Sequence, residues 1–253
     1  EDIIEYTTNQ RLENLIAIDA TNSPEIVKSY ISLIQNGFNI VAANKTANIL
    51  HHDFYTEIRR NLKKFDKDYL YEATVSAGLP ILNTIKDLHF SGEKITKIRG
   101  VFSSSLSYIF NRFGNEDILF SKIIEDAEKL GYTKTDSRED LSGNAVAEKL
   151  VILAREIEHK VELKEVKIMS LLVPPLNENH TKSAYKNNKN LLDKPYRIAK
   201  LTQNENNVLR YVGEFDIETE KIEVKLISVP VNSALGQLQD AENLIEIYTK
   251  TNS

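Results

Sequence analysis

Residues 15–45 read LIAIDATNSPEIVKSYISLIQNGFNIVAANK. Leu15-Ile16-Ala17-Ile18 is a short apolar run, Asp19-Ala20-Thr21-Asn22-Ser23-Pro24 a turn, Pro24 to Asn36 an amphipathic helix and Ile40-Val41-Ala42-Ala43 a second apolar run. Ser23 before Pro24 and Glu25 reads as a helix N-cap, and Gly37 as the stop signal at the other end. Two nearly continuous apolar strands joined by one helix predict a β-α-β unit, hence a parallel sheet with a right-handed crossover. Ligands of such sheets sit beyond the carboxyl ends of the strands. That rule makes Asp19 to Asn22 and Asn44-Lys45, which share one edge, the first candidate site.

Further along, the pattern predicts a helix from about Asp53 to Lys64, a strand at Tyr69 to Val75, and a tight Ser76-Ala77-Gly78-Leu79-Pro80 turn into a helix. Then come a strand at Ile95 to Phe102, a short helix at Leu106 to Phe113, a helix from Phe120 to Leu130 that stops on Gly131, and a long helix from Ser142-Gly143 to about Glu158. Asn177 to Lys189 is polar, Asn- and Lys-rich and aperiodic, the signature of a mobile surface loop. Val208 to Phe215 and Ile222 to Val229 alternate across an acidic turn and predict an antiparallel pair, followed by a last strand at Asn243 to Thr249. No internal repeat is visible.

The composition narrows the function. In 253 residues, 41% are hydrophobic and 27% charged, ordinary values for a globular chain with a sizeable core. The 37 acids and 32 bases are scattered and leave a net charge of −5, so no face is built to neutralise phosphates and no nucleic acid is expected as partner. Zero cysteines remove disulfides, thiolate metal sites and a cysteine nucleophile together, and fit a cytoplasmic setting. No apolar run approaches the roughly 18–20 residues that cross a bilayer, and the first residues are acidic where a signal peptide is basic, so no membrane partner is expected. The chain opens on Glu1, and its one methionine is Met169, which suggests a fragment; the end at Ser253, just after a strand, suggests the same. The nine glycines form no G-x-G-x-x-G, so a dinucleotide site, if there is one, lacks its phosphate-binding turn here. His51-His52 are adjacent, and His89, His159 and His180 isolated, so no metal-ligand spacing arises and surface positions are expected.

Four segments in register then point to one family: Asn44-Lys45 after a strand; Tyr71-Glu72-Ala73-Thr74-Val75-Ser76-Ala77-Gly78-Leu79-Pro80; Gly100 through Asn111; and Gly131-Tyr132 through Asp136, Asp140-Leu141, Gly143 and Lys149. They resemble homoserine dehydrogenase, particularly the form fused behind an aspartate kinase. The likeness is close from Ile16 to Glu158 and weaker at Val208 to Gly213 and Glu242-Asn243. It implies an α/β fold: a partial Rossmann-type nucleotide domain over residues 1–65, then an α+β substrate-binding and dimerisation domain with a mixed sheet over residues 66–253.

The resemblance also implies an NAD(P)-dependent interconversion of homoserine and aspartate semialdehyde, with NADP or NAD as cofactor and a homodimer as the assembly. It assigns catalysis to Lys45 and Lys149, cofactor binding to Thr21, Asn44 and Lys45, substrate binding to Gly131, Lys134, Asp136, Asp140 and Ala145, and a monovalent cation such as Na+ to Glu72, Val75, Ala77 and Leu79. An ammonium beside a developing alkoxide stabilises it and can exchange its proton. From position alone, Lys45 reads equally as a solvated lysine. Lys149, at the edge of a stripe of Val146, Leu150, Leu153 and Ile157, reads as one that snorkels to water. Two positions depart from the family pattern. Ala145 stands where the family has an aspartate one turn before the lysine, and Lys134 where it has the glutamate that receives the substrate ammonium. Ser76 replaces a glycine, and Ser104-Ser105 a Gly-Thr pair. These departures leave two other readings open: a silenced homologue or fragment serving as a dimerising or regulatory module, and a related oxidoreductase with a different substrate.

Overall fold

Alternation along short strands sets the first layer of the fold. In the computed structural model, which describes residues 2–76, 78–176 and 181–251, the chain divides into two units: Glu1–Ser91 with Val151–Leu163, and Gly92–Leu150 with Lys164–Ser253. The first unit contains helix α1 (Asp2–Asn9), strand β1 (Ile16–Asp19), helices α2 (Pro24–Val27) and α3 (Tyr30–Gln35), strand β2 (Asn39–Ala42), helices α4 (Thr46–Ile49) and α5 (His52–Phe65), strand β3 (Tyr69–Leu70) and helix α6 (Ile81–Phe90). The three strands form a parallel sheet in the order β1-β2-β3, as the β-α-β reading predicts. Ile40 and Tyr69 lie side by side on the buried face. On the other face Ile18, Val41 and Leu70 form a row across the sheet, and they are 77%, 37% and 62% exposed.

The crossover is not one helix. Lys28 and Ser29 close tighter i to i+3 bonds onto Glu25 and Ile26, which separates α2 from α3. The apolar stripe survives the break, since Val27, Tyr30 and Ile34 are all buried. Ser23 occupies the N-cap position in an extended conformation, but its hydroxyl caps nothing; instead its amide donates to Thr21 Oγ1 at 3.1 Å. Gly37 adopts φ +90°, and Phe38 N then bonds back to Leu33 O, which ends α3 as expected. The predicted strand from Tyr69 to Val75 stops at Leu70, because Glu72–Thr74 wind into a 3-10 turn.

The second unit is built on a mixed sheet in the order β5-β7-β6-β4-β8. In chain order its elements are β4 (Ile95–Val101), α7 (Ser104–Asn115), α8 (Phe120–Lys129), α9 (Arg138–Ser142), α10 (Asn144–Glu156, of which the residues from Val151 on belong to the first unit), β5 (Lys167–Ile168), α11 (Lys182–Asn188), α12 (Asp193–Thr202), β6 (Asn207–Asp216), β7 (Lys221–Pro230) and β8 (Leu244–Thr249). The β6–β7 hairpin is antiparallel as predicted; β5, which the sequence pattern missed, joins β7 in parallel. Helix α10 packs on β6 so closely that a Cβ on Gly213 would lie 2.9–3.0 Å from Val146 and Leu150. Gly143, at φ +83° before α10, is equally constrained: a Cβ there would lie 2.1 Å from the Tyr211 hydroxyl.

The expected loop from Asn177 to Lys189 is corrected in part. Residues 177–180 lie outside the described residues, but Lys182–Asn188 form a helix capped by Thr181 Oγ1, which accepts from Ala184 N at 3.2 Å. Its single buried anchor is Tyr185, whose hydroxyl lies 2.7 Å from Ser137 Oγ. One aromatic anchor in a polar helix leaves no periodic signal to read.

Candidate functional site

In the first unit the carboxyl ends of β1 and β2 meet at Asp19. This buried carboxylate accepts four hydrogen bonds: Oδ1 from Thr21 N at 2.9 Å and Thr21 Oγ1 at 2.8 Å, Oδ2 from Tyr30 Oη at 2.6 Å and Asn44 Nδ2 at 3.0 Å. Burial raises its pKa, but the bonds from Tyr30, Thr21 and Asn44 outweigh that and hold it below the usual carboxylate range. Asn44 is saturated as well, donating to Ser23 O and accepting from Thr46 N. The hub therefore fixes the exposed Ala20–Asn22 loop against Asn44-Lys45, with half-buried Lys45 at the N-cap of α4. The two predicted loops are brought together at one edge.

In the second unit the site residues gather around the start of α7. Ser103 is its N-cap, with Oγ accepting from Leu106 N. Ser103 Oγ and Ser105 Oγ are 2.9 Å apart, and Ser105 donates to Asp140 Oδ1 at 2.8 Å. Asp140 Oδ2 receives one long bond, from Lys134 N at 3.4 Å. Burial raises the Asp140 pKa despite the Ser105 bond. Next to Ser103 in the chain, the Phe102 carbonyl accepts from Lys149 Nζ at 2.6 Å. Val146, Leu150 and Leu153 are buried along α10 and Ile157 just after its end, so Lys149 sits at the edge of the stripe as expected and its ammonium is held by protein rather than simply extended to water.

The remaining substrate candidates take distinct places. Gly131 ends α8, with Tyr132 N bonding back to Ala127 O, and Tyr132 stacks on Tyr108 of α7 at 4.2 Å, which anchors the Gly131–Lys134 loop. Thr133 Oγ1 is buried without a hydrogen-bond partner among the described residues. Lys134 does not meet a buried cation partner; its ammonium pairs with Glu139 at 2.6 Å, both side chains well exposed. Asp136 is clamped by Arg138 at 2.6 Å, which depresses its pKa. Ala145 is half-buried in the first turn of α10, which carries no acid. Lys134, Asp136, Arg138, Glu139, Asn144 and Lys182 line a cavity of about 620 Å³. Glu139, Arg138 and Lys182 were not singled out from sequence; the Lys134–Glu139 sign complementarity across five residues was the one available hint.

At the Glu72 to Leu79 turn, the Glu72 carboxylate accepts from Leu82 N at 2.7 Å and Asn83 N at 3.1 Å and so caps α6. Of the other residues assigned to a cation, Ala77 lies outside the described residues.

Against known families, the homoserine dehydrogenase profile matches residues 80–253. The chain belongs to the homoserine dehydrogenase family. A bifunctional aspartokinase/homoserine dehydrogenase of Buchnera aphidicola is 36% identical over 247 residues, covering 95% of this chain and 29% of the relative. The chain thus spans less than a third of the length of the curated relatives it matches. A Candida auris protein of unknown function superimposes with a TM-score of 0.91 at 30% identity, over 99% of this chain and 71% of the other. A hyperthermophilic archaeal homoserine dehydrogenase, solved in complex with NADPH, shares the fold with a TM-score of 0.71 at 20% identity, over 98% of this chain and 65% of the other. The family's α/β architecture, a parallel-sheet part followed by a mixed-sheet α+β part, is the one found here.

Proposed function

We propose that this chain is the substrate-binding part, with a portion of the nucleotide-binding part, of an NAD(P)-dependent homoserine dehydrogenase that interconverts homoserine and aspartate semialdehyde. The observation that carries the reading is Lys149 held on the Phe102 carbonyl beside the Ser103, Ser105 and Asp140 chain. A lysine nitrogen able to exchange a proton and a half-buried carboxylate able to hold a substrate donor on neighbouring segments of one unit support this reading.

The strand-end hub fits one rim of a dinucleotide site: an exposed loop fixed by Asp19, with Asn44 and Lys45 at the next strand end. Thr21, Asn44 and Lys45 are the residues assigned to hold NADP or NAD. When bound, that group accepts or supplies the hydride. As the neutral amine Lys149 takes the homoserine hydroxyl proton in the oxidation, and as the ammonium it returns that proton in the reduction; Lys45 is the second lysine assigned to catalysis. Asp140 orients the substrate; Lys134, Asp136, Gly131 and Ala145 shape the approach to it. With Lys134 tied to Glu139, the substrate ammonium falls to a carboxylate of α9. A homodimer, a cytoplasmic setting and a monovalent cation held by carbonyls of the Glu72 to Leu79 turn belong to the same proposal. Among the described residues no helix is long and apolar enough to cross a membrane.

The test is homoserine-dependent reduction of NAD+ and NADP+ by the full gene product, beside its Lys149→Ala variant. The reading expects turnover that falls at least about 100-fold in the variant, the usual weight of a positioned proton carrier. A folded wild type that reduces neither cofactor in the presence of homoserine overturns it.

A further inference from the structure

Among the carboxylates of the Lys134 to Asp140 segment, Asp140 has its two oxygens unevenly served. Asp136 is clamped by a guanidinium and Glu139 by an ammonium. Asp140 instead has Oδ1 bonded to Ser105 at 2.8 Å, while Oδ2 has only the 3.4 Å contact from Lys134 N. The Ser105 hydroxyl, itself 5% exposed, has one proton, and a carboxylate can only accept it. Its oxygen remains open to a second donor, and Ser103 Oγ stands 2.9 Å away. Both hydroxyl protons therefore point down the chain, from Ser103 to Ser105 to Asp140. Polarised chains of this kind strengthen the terminal bond.

We propose that Ser105 is a positioning residue for Asp140: through the Ser103–Ser105–Asp140 chain it commits Oδ1 to the protein and leaves Oδ2 as the acceptor for a donor group of the substrate. This rests on the homoserine dehydrogenase reading for the identity of the substrate, but the positioning itself is a property of the apoprotein. Neither serine touches the reacting atoms in this scheme. The other groups acting on the carboxylate are Lys134 in the preceding loop and Glu139 on its own helix, of opposite sign; from α7 the facing group is the Ser105 hydroxyl. Burial and Glu139 favour the protonated acid, and Ser105 and Lys134 the ionised form that an acceptor requires.

Two variants of the full-length protein test this: Ser105→Ala, which deletes the hydroxyl in a nearly isosteric side chain, and Ser105→Thr, which restores it. The Asp140 carboxyl is followed by carbon-13 NMR against pH, assigned with Asp140→Asn, and kcat/KM for homoserine is measured across the same range. Ser105→Ala is expected to move the Asp140 titration to higher pH, to move the acidic limb of the kcat/KM profile with it, and to lower kcat/KM near pH 7 by about 10-fold, the weight of one hydrogen bond to a charged group. Ser105→Thr is expected to return both to wild-type behaviour. An Asp140 titration unchanged in folded Ser105→Ala overturns the proposal, as does a titration that moves in Ser105→Thr as far as in Ser105→Ala. Should the wild type turn over no homoserine, the function reading fails, and the titration arm alone decides the positioning.

Discussion

Asp19 ends strand β1 and Asp140 lies within helix α9, and the two carboxylates are wired oppositely. Asp19 accepts four hydrogen bonds, two on each oxygen, and sits below the usual carboxylate range. Asp140 has one good bond and one long one, and burial pushes it above that range. A saturated carboxylate stores stability, because its donors have nowhere else to go. An unsaturated one keeps capacity for a ligand. Residue type did not separate them; the number of donors did.

The largest expected effect that tests this contrast is on stability. Asp19→Ala leaves the Tyr30 hydroxyl and the Asn44 amide buried without their acceptor, each of them 1% exposed. Two orphaned buried donors are expected to cost about 3 kcal/mol, read as a lower midpoint in urea unfolding. Asp140→Asn is expected to cost under about 1 kcal/mol in the same assay, since its side-chain oxygen still accepts from Ser105. Comparable losses from the two variants would break the comparison.

Next in size is pH dependence, where the two acids have opposite signs. Asp19 binds its proton more weakly in the folded chain, so its contribution is present above the unfolded value of 3.8 and is lost as pH falls through the depressed folded pKa. Asp140 binds its proton more strongly when folded, so its contribution is present below 3.8 and is lost as pH rises through the elevated folded pKa. Unfolding curves collected from about pH 2 to 6 are expected to show Asp19→Ala flattening a rise in stability with pH below 3.8, and Asp140→Asn flattening a fall above it. The smallest effect belongs to Lys134→Ala. Its ion pair with Glu139 is 64% and 62% exposed, and the stability change is expected to be about 0.3 kcal/mol, fading with added salt.

Much of the frame was legible because it rests on local rules. The β-α-β unit followed from two apolar runs around an amphipathic stripe, and Gly37 ended the crossover as its position indicated. The β6–β7 hairpin followed from strict alternation. What escaped depended on partners distant in sequence. The strand after Tyr69 is cut short as Glu72 turns to cap α6, ten residues on. Helix α11 hangs on Tyr185 and Ser137, which are 48 residues apart. In the candidate site, Asp19 and Asn44 were identifiable by position, and Lys149 only through the family resemblance. The Ser105–Asp140 bond spans 35 residues and has no signature in either segment taken alone. Lys134 reads in sequence as a reversed charge in a binding site, yet its ammonium goes to Glu139.

The row of Ile18, Val41 and Leu70 on the open face of the β1-β2-β3 sheet has a thermodynamic consequence. An apolar partner that covered that row would bind the folded unit and not the unfolded one. With such a partner present, the melting temperature of the first unit would rise with the partner's concentration by mass action.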